Sequence, residues 1–240
     1  MLKLELVEAV LARALKGGAD FAEVYAQRAK KRRMKVRQGA LEEALSGLDY
    51  GAGVRLFFGT EVVYAYTNDL TQEGLMEALE TLLRAKGALG KVDEGGKGGL
   101  DFRKATPKGL HAPKVPYGEK DKRYRLERLL EAEAGARIAP AIKQVEASLL
   151  EWEEEVLVAN TEGVFAEEKR VRTRLFVLAV AQDGAEVQTG YSAPGKSVGL
   201  ELFDLYPPKA VGEKAARQAL TNLKARPAPA GTFPVVVGPG

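Results

Sequence analysis

Residues 21–67 read FAEVYAQRAKKRRMKVRQGALEEALSGLDYGAGVRLFFGTEVVYAYT. Apolar and aromatic residues alternate with charged ones at a period near two, the repeat of a strand with one buried face. Gly47, Gly51, Gly53, Gly59 and Thr60 punctuate the run as turn residues do. The segments FAEVYAQRA, RMKVRQGALEEALSG, GVRLFFG and EVVYAYT are therefore predicted as about four short strands joined by hairpins. Consecutive strands with no helix between them pair antiparallel, so the class is α+β and not a doubly wound parallel sheet.

Helices flank this stretch. Leu4, Val7, Leu11 and Leu15, with Leu2, Leu6 and Val10 beside them, form one apolar stripe that Gly17-Gly18 ends. Asn68-Asp69-Leu70-Thr71 supplies an N-cap before GLMEALETLLRAKGALG, whose Leu75, Leu79, Leu82 and Leu83 share a face. Residues 1–88 thus form a helix, a four-strand unit and a second helix. Residues 89–119, rich in Gly, Lys and Pro and holding His111, read as an exposed connection. Residues 120–226 repeat the order: a helix in EKDKRYRLERLLEAEAGAR, strand-like IKQVEASLLEW, EVLVANTEG, VFAEEKRVRTRLFVLAVAQ and AEVQTGYSA with turns at Gly163 and Asp183-Gly184, then a helix entered through Pro207-Pro208. Residues 227–240 end in the strand-like FPVVVG. The expected architecture is antiparallel meander sheets flanked by helices, with an order that suggests duplication, although helix-plus-meander units are also common without it.

Composition excludes several chemistries. The 240 residues carry 36 basic and 33 acidic side chains, one histidine and no cysteine. Disulfides, thiolate metal sites, cysteine nucleophiles and any site needing two imidazoles from one copy are ruled out. A net charge of +3 makes no strong case for nucleic acid. The first twenty residues alternate charges with apolar groups and do not form a signal peptide, and no apolar run is long enough for a membrane span. The cytoplasm is the expected compartment.

Four motifs invite chemistry. Gly190-Tyr-Ser-Ala-Pro-Gly195-Lys196-Ser197 matches the phosphate-loop pattern G-x-x-x-x-G-K-[ST] and would make the chain a nucleotide-binding protein. Its context argues against that, because the preceding segment reads as a hairpin arm and the following one meets a double proline. Arg28, Lys30, Lys31, Arg32, Arg33, Lys35 and Arg37 form a basic run without an acid. With no aromatic residue interleaved for base stacking, it reads as charge that keeps a strand edge soluble. Glu151, Glu153, Glu154 and Glu155 read as a solvated face at a hairpin turn and not a cation site. His111 reads as a lone exposed imidazole. No nucleophile elbow and no H-E-x-x-H is present. The residues thus offer no catalytic, cofactor-binding or metal-ligating constellation.

Several segments in order, Gly18-Ala-Asp-Phe-Ala-Glu-Val-Tyr25, Gly51-Ala-Gly-Val-Arg-Leu56 with Tyr64-Ala-Tyr66, Ala159-Asn-Thr-Glu-Gly163 and above all Ala228-Pro-Ala-Gly-Thr-Phe-Pro-Val-Val-Val-Gly-Pro-Gly240, resemble the TldD branch of the TldD/PmbA family. These are zinc metallopeptidases also called modulators of DNA gyrase. The resemblance implies a zinc site built from an H-E-x-x-x-H helix and a distant cysteine, all beyond Gly240, so no catalytic or metal residue carries over to this chain. It implies instead a non-catalytic N-terminal region that shapes the substrate passage and subunit contacts, inactive alone, from a split or truncated gene or a longer protein. The implied partners are a TldD/PmbA-type subunit, as hetero- or homodimer, and an extended peptide that pairs with exposed strand edges. In this light Gly190–Gly199 corresponds to a glycine-rich loop of the family. Val235–Val237 would then pair only within a complete core. The rival expectation is a stand-alone interaction module that engages a PmbA-like partner or gyrase.

Overall fold

The structure is a computed structural model and describes residues 1–87, 100–105 and 112–238; His111 and the middle of the 89–119 stretch lie outside the described residues. The order is α1 (Leu4–Lys16), β1 (Phe21–Arg37), β2 (Ala40–Phe58), β3 (Glu61–Thr67), α2 (Gln72–Ala85), β4 (Arg103–Ala105), α3 (Lys122–Gly135), β5 (Ile142–Asn160), β6 (Val164–Asp183), β7 (Glu186–Ser192), β8 (Gly195–Lys196), α4 (Leu202–Leu205) and α5 (Pro208–Leu223).

The α+β class holds, but the strands form one sheet and not two, ordered β3-β2-β1-β5-β6-β4, with β7 and β8 also on β6. Each half supplies a three-strand antiparallel meander, β1-β2-β3 and β5-β6-β7, where about four short strands were expected. The meanders abut antiparallel through their first strands, from Glu23↔Asn160 to Arg37↔Glu146, which relates the halves by an approximate twofold. Among the described strands only β4 runs parallel to its neighbour.

Two predicted turns are straight strand. Gly47, Gly51 and Gly53 lie inside the 19-residue β2. The glutamate run lies inside the 19-residue β5. A charge register across the sheet accompanies these long strands. Arg28, Lys30 and Arg32 of β1 stand directly opposite Glu155, Glu153 and Glu151 of β5. Opposite charges on facing strands stabilise a pair and penalise a slipped register. The basic run therefore occupies a central strand and not an edge, and the glutamates are not a solvated turn: Glu151 and Glu154 are buried.

One face of the sheet carries the helices, in two separate cores. Val7, Val10, Leu11 and Ala14 of α1 and Leu75, Leu79, Leu82 and Leu83 of α2 cover Ala22, Val24, Ala26, Val54 and Leu56. Leu129 and Ala132 of α3 and Val211, Ala215, Ala216 and Ala219 of α5 cover Met34, Val36, Val145, Leu149, Leu175 and Val177. Helix α2 starts where expected, with the Thr71 side chain accepting from the Gly74 N–H at 3.2 Å.

The described parts of the 89–119 stretch are anchored. Leu100 and Phe102 pack on the first core. Tyr117 is buried, its hydroxyl donating to the Arg172 carbonyl and meeting Thr173 Oγ1, each at 2.8 Å. Burial, more than any neighbour, pushes the Tyr117 phenol up to about 12. Buried Glu201 fixes the strap from the other side, accepting from the backbone N–H of Lys114 at 2.9 Å and of Val115 at 3.0 Å. Burial raises its carboxyl, but these backbone donors outweigh that and hold it below the ordinary range. A group whose folded pKa is depressed stabilises above its unfolded pKa and loses that contribution as pH falls through the folded value. Glu201→Gln is therefore expected to cost about 1–3 kcal/mol near neutral pH. Urea unfolding at several pH values should show the gap closing below the usual carboxylate range. By contrast, residues 225–238 have no regular structure, and Val235, Val236 and Val237 are 80%, 96% and 88% exposed, so the strand expected in FPVVVG is not formed.

Candidate functional site

Among the described residues the opposite face of the sheet carries no helix. The strand period places Tyr25, Gln27, Lys31 and Arg33 of β1 there, with Trp152 and Leu150 of β5 and Arg170, Arg172 and Arg174 of β6 in register beside them. Lys31, Trp152 and Arg172 form one row across three strands. The indole lies between two cations, Lys31 Nζ 4.8 Å and the Arg172 guanidinium 5.8 Å from the ring centre. Its Nε1 is buried with no acceptor among the described residues.

At the β3 side this face sinks into a groove of about 610 Å³, lined by Tyr25, Gln27, Lys31, Asp49, Tyr64 and Tyr66 among others. Glycine makes the groove: a Cβ at Gly53 would come 2.5 Å from Tyr64 Oη, so the ring lies across the strand only because that position has no side chain. Tyr64 and Tyr66 stack at 6.4 Å and are 59% and 80% exposed. Beside the groove, buried Glu154 accepts from Nε2 of the lining residue Gln27. Burial and, after it, the Glu154 charge raise the Tyr25 phenol, so its hydroxyl stays a hydrogen-bond donor. At the far side Phe176 stacks on Tyr191 at 6.2 Å.

Among the described residues the outer edge of β2 has no partner before Ala52: strand β3 pairs only with residues 52–58, so residues 40–51 present backbone donors and acceptors along that edge. Leu41, Leu45, Leu48 and Tyr50 on this arm are each about half exposed. An edge of this kind next to an aromatic trough suits an extended polypeptide: backbone groups pair with the edge and side chains rest on the tyrosines.

The motifs singled out in the sequence fare differently. Gly190–Ser197 does not form a phosphate loop. Gly190 lies in β7 beneath α5, where a Cβ would meet the Ala219 backbone nitrogen at 2.2 Å, and Gly195-Lys196 is a strand paired with β6. The next helix, α4, has four residues and no N–H cradle facing the motif. The basic run does gain aromatic company, contrary to its linear reading, because Trp152 of β5 and Tyr117 reach Lys31 and Arg32 from elsewhere in the chain. That aromatic face was missed in the sequence; the alternation of Tyr25, Gln27 and Lys31 with buried Ala22, Val24 and Ala26 was the signal available for it. Among the described residues no helix is long and apolar enough to cross a membrane.

Comparison with known proteins gives this architecture a lineage. The model for PmbA/TldA metallopeptidase domain 1 matches residues 22–86, and that for the PmbA/TldA metallopeptidase central domain matches residues 113–223. The Metalloprotease TldD homolog of Haemophilus influenzae is 29% identical over 231 residues, covering 92% of this chain and 46% of that protein. A metalloprotease of Methanothermobacter thermautotrophicus is 26% identical over 221 residues, covering 92% and 47%. The chain thus spans about half the length of the curated relatives it matches. A Thermotoga maritima structure named as a modulator of a DNA gyrase superposes with a TM-score of 0.73 at 15% identity, covering 95% of this chain and 50% of that one. TldE from Thermococcus kodakarensis gives a TM-score of 0.65 at 17% identity, covering 90% and 47%. With two domain models matched in order along one continuous sheet, and curated relatives that align over nearly its whole length, this chain belongs to the TldD/PmbA family.

Proposed function

We propose that this chain is the substrate-shaping and subunit-contacting part of a TldD-type zinc metallopeptidase, working in the cytoplasm with a TldD/PmbA-type subunit on unfolded, extended peptides. The observation that carries this reading is the open sheet face, where the Tyr25–Tyr64–Tyr66 groove adjoins the free β2 edge. Aromatic side chains and strand pairing bind an extended chain while reading little of its sequence. The donor set does not fit the metal. The sequence has no cysteine and a single histidine, and among the described residues no three His, Cys, Asp or Glu side chains converge as ligands. We therefore assign no hydrolytic step to these residues.

Trp152, the only tryptophan, sits on the same face and serves as the probe. Titrating the chain with an unstructured peptide should change its fluorescence saturably, and Tyr64→Ala should weaken binding by roughly tenfold or more. With added Zn²⁺ the chain should release no cleaved peptide. Stoichiometric zinc together with peptide cleavage would overturn the reading. A second reading, a stand-alone interaction module for a PmbA-like partner, draws on the half-exposed leucines of the β2 arm. Capture of such a subunit without any fluorescence response to peptide would favour it.

A further inference from the structure

On the helix-bearing face the two cores do not meet. The α1/α2 layer ends over Ala26 and the α3/α5 layer begins over Met34, so Arg28, Lys30 and Arg32, which point to that side, stand in the gap. A pocket of about 510 Å³ opens here, in the size range of small-molecule sites. Its walls come from β1, the β2 arm, β5 and the start of α3, and they combine Met34, Leu45 and Leu149 with several cations.

The carboxylates at this pocket are already engaged. Glu151 takes two hydrogen bonds from Arg125, at 2.5 and 3.2 Å. Arg125 spends its other N–H groups on the carbonyls of Lys120, Asp121 and Tyr117, at 2.5, 2.9 and 2.8 Å. Asp121 caps α3 by accepting from the Tyr124 N–H at 2.8 Å. The cations are less well served. Arg32 lies over the Tyr117 ring at 5.5 Å, and its Nη1 stops 3.6 Å from Glu151 Oε2, outside hydrogen-bonding length. That Nη1 is buried and has no acceptor among the described residues. Lys30 and Lys122 line the same pocket and form no ion pair among the described residues. A buried guanidinium donor without an acceptor costs free energy that an incoming oxyanion would recover, and guanidinium matches phosphate and carboxylate oxygens in fork geometry.

We propose that this pocket binds the acid group of a small multivalent anion, a phosphate ester or a polycarboxylate. Arg32 is its principal donor, Lys30 and Lys122 flank it, and Met34 and Leu45 receive the ligand's apolar part. The site lies on the other face of the sheet from the peptide groove and does not depend on it.

Calorimetric titration of the chain with inorganic pyrophosphate and, separately, with citrate tests this. Saturable one-to-one binding of at least one probe is expected, and which one binds tighter identifies the phosphate or the carboxylate source. Arg32→Gln should weaken binding about tenfold or more. The exposed Lys30→Gln, which leaves the fold's packing untouched, should weaken it several-fold. Lys169→Gln, on an exposed lysine paired with Glu155 outside the pocket, should change nothing. The proposal is overturned if neither probe binds, if Lys30→Gln and Arg32→Gln both bind as the parent does, or if Lys169→Gln loses as much affinity as they do.

Discussion

Glu151→Ala is expected to lower the unfolding free energy by about 3–5 kcal/mol, the largest effect of any single side chain named above. The Arg125–Glu151 pair is 8% and 1% exposed at its two side chains, so removing the acid leaves a guanidinium in the interior with no anion. For a chain of this length the fall in Tm should be on the order of 10 °C. The double variant Arg125→Met/Glu151→Leu should recover most of the loss, because replacing a buried pair by apolar groups is often neutral while breaking it is not. Thermal and urea unfolding of the three proteins decides the matter. Equal losses in the single and double variants would show that the pair is net stabilising as a pair, and not merely costly to break.

Gly212→Val should cost at least about 3 kcal/mol, and even Gly212→Ala about 1–3 kcal/mol. Helix propensity alone gives Gly212→Ala the opposite sign, since glycine inside a helix is worse than alanine by roughly 0.5–1 kcal/mol. Geometry wins because α3 and α5 cross backbone to backbone. A Cβ at Gly212 would stand 2.0 Å from the Ala132 carbonyl oxygen, and one at Gly135 would stand 2.4 Å from that of Lys209. Either the helices separate, opening voids around Leu129 and Ala216, or α5 shifts along β7. Urea denaturation of the alanine variant reads the sign directly.

These cases show which parts of the fold were legible. Helices α1, α2, α3 and α5 followed from apolar stripes and caps, because those signals are local. The strand count did not follow, because a glycine within a strand and a glycine in a turn look alike until the neighbours are known. Gly53 leaves room for Tyr64, and Gly51 has the Thr67 carbonyl 3.0 Å from where a Cβ would be. The basic run and the glutamate run were each visible, and each was misread alone; together in register they specify the β1–β5 seam. The aromatic face was legible only in part: the alternation along β1 marks the side on which Tyr25 lies, but Tyr64 and Trp152 join it from β3 and β5, which no local pattern reveals. The phosphate-loop match, which its sequence context already argues against, is a correct pattern of letters on a strand that passes beneath a helix.

The central position of β1 also matters while the chain is being made. One edge of β1 is occupied by β2 as soon as the hairpin forms, but the other waits for β5, more than 100 residues later. At ribosomal speed that interval is on the order of ten seconds, during which a 17-residue strand edge is open to pairing with any other nascent chain. Lys31, Arg33, Lys35 and Arg37 meet Asp49, Glu43 and Glu42 of β2 within the hairpin, and the remaining Arg28, Lys30 and Arg32 make that edge repel its own copies. The same charges that the glutamates later neutralise thus serve first as a guard, withdrawn only when the intended partner strand arrives.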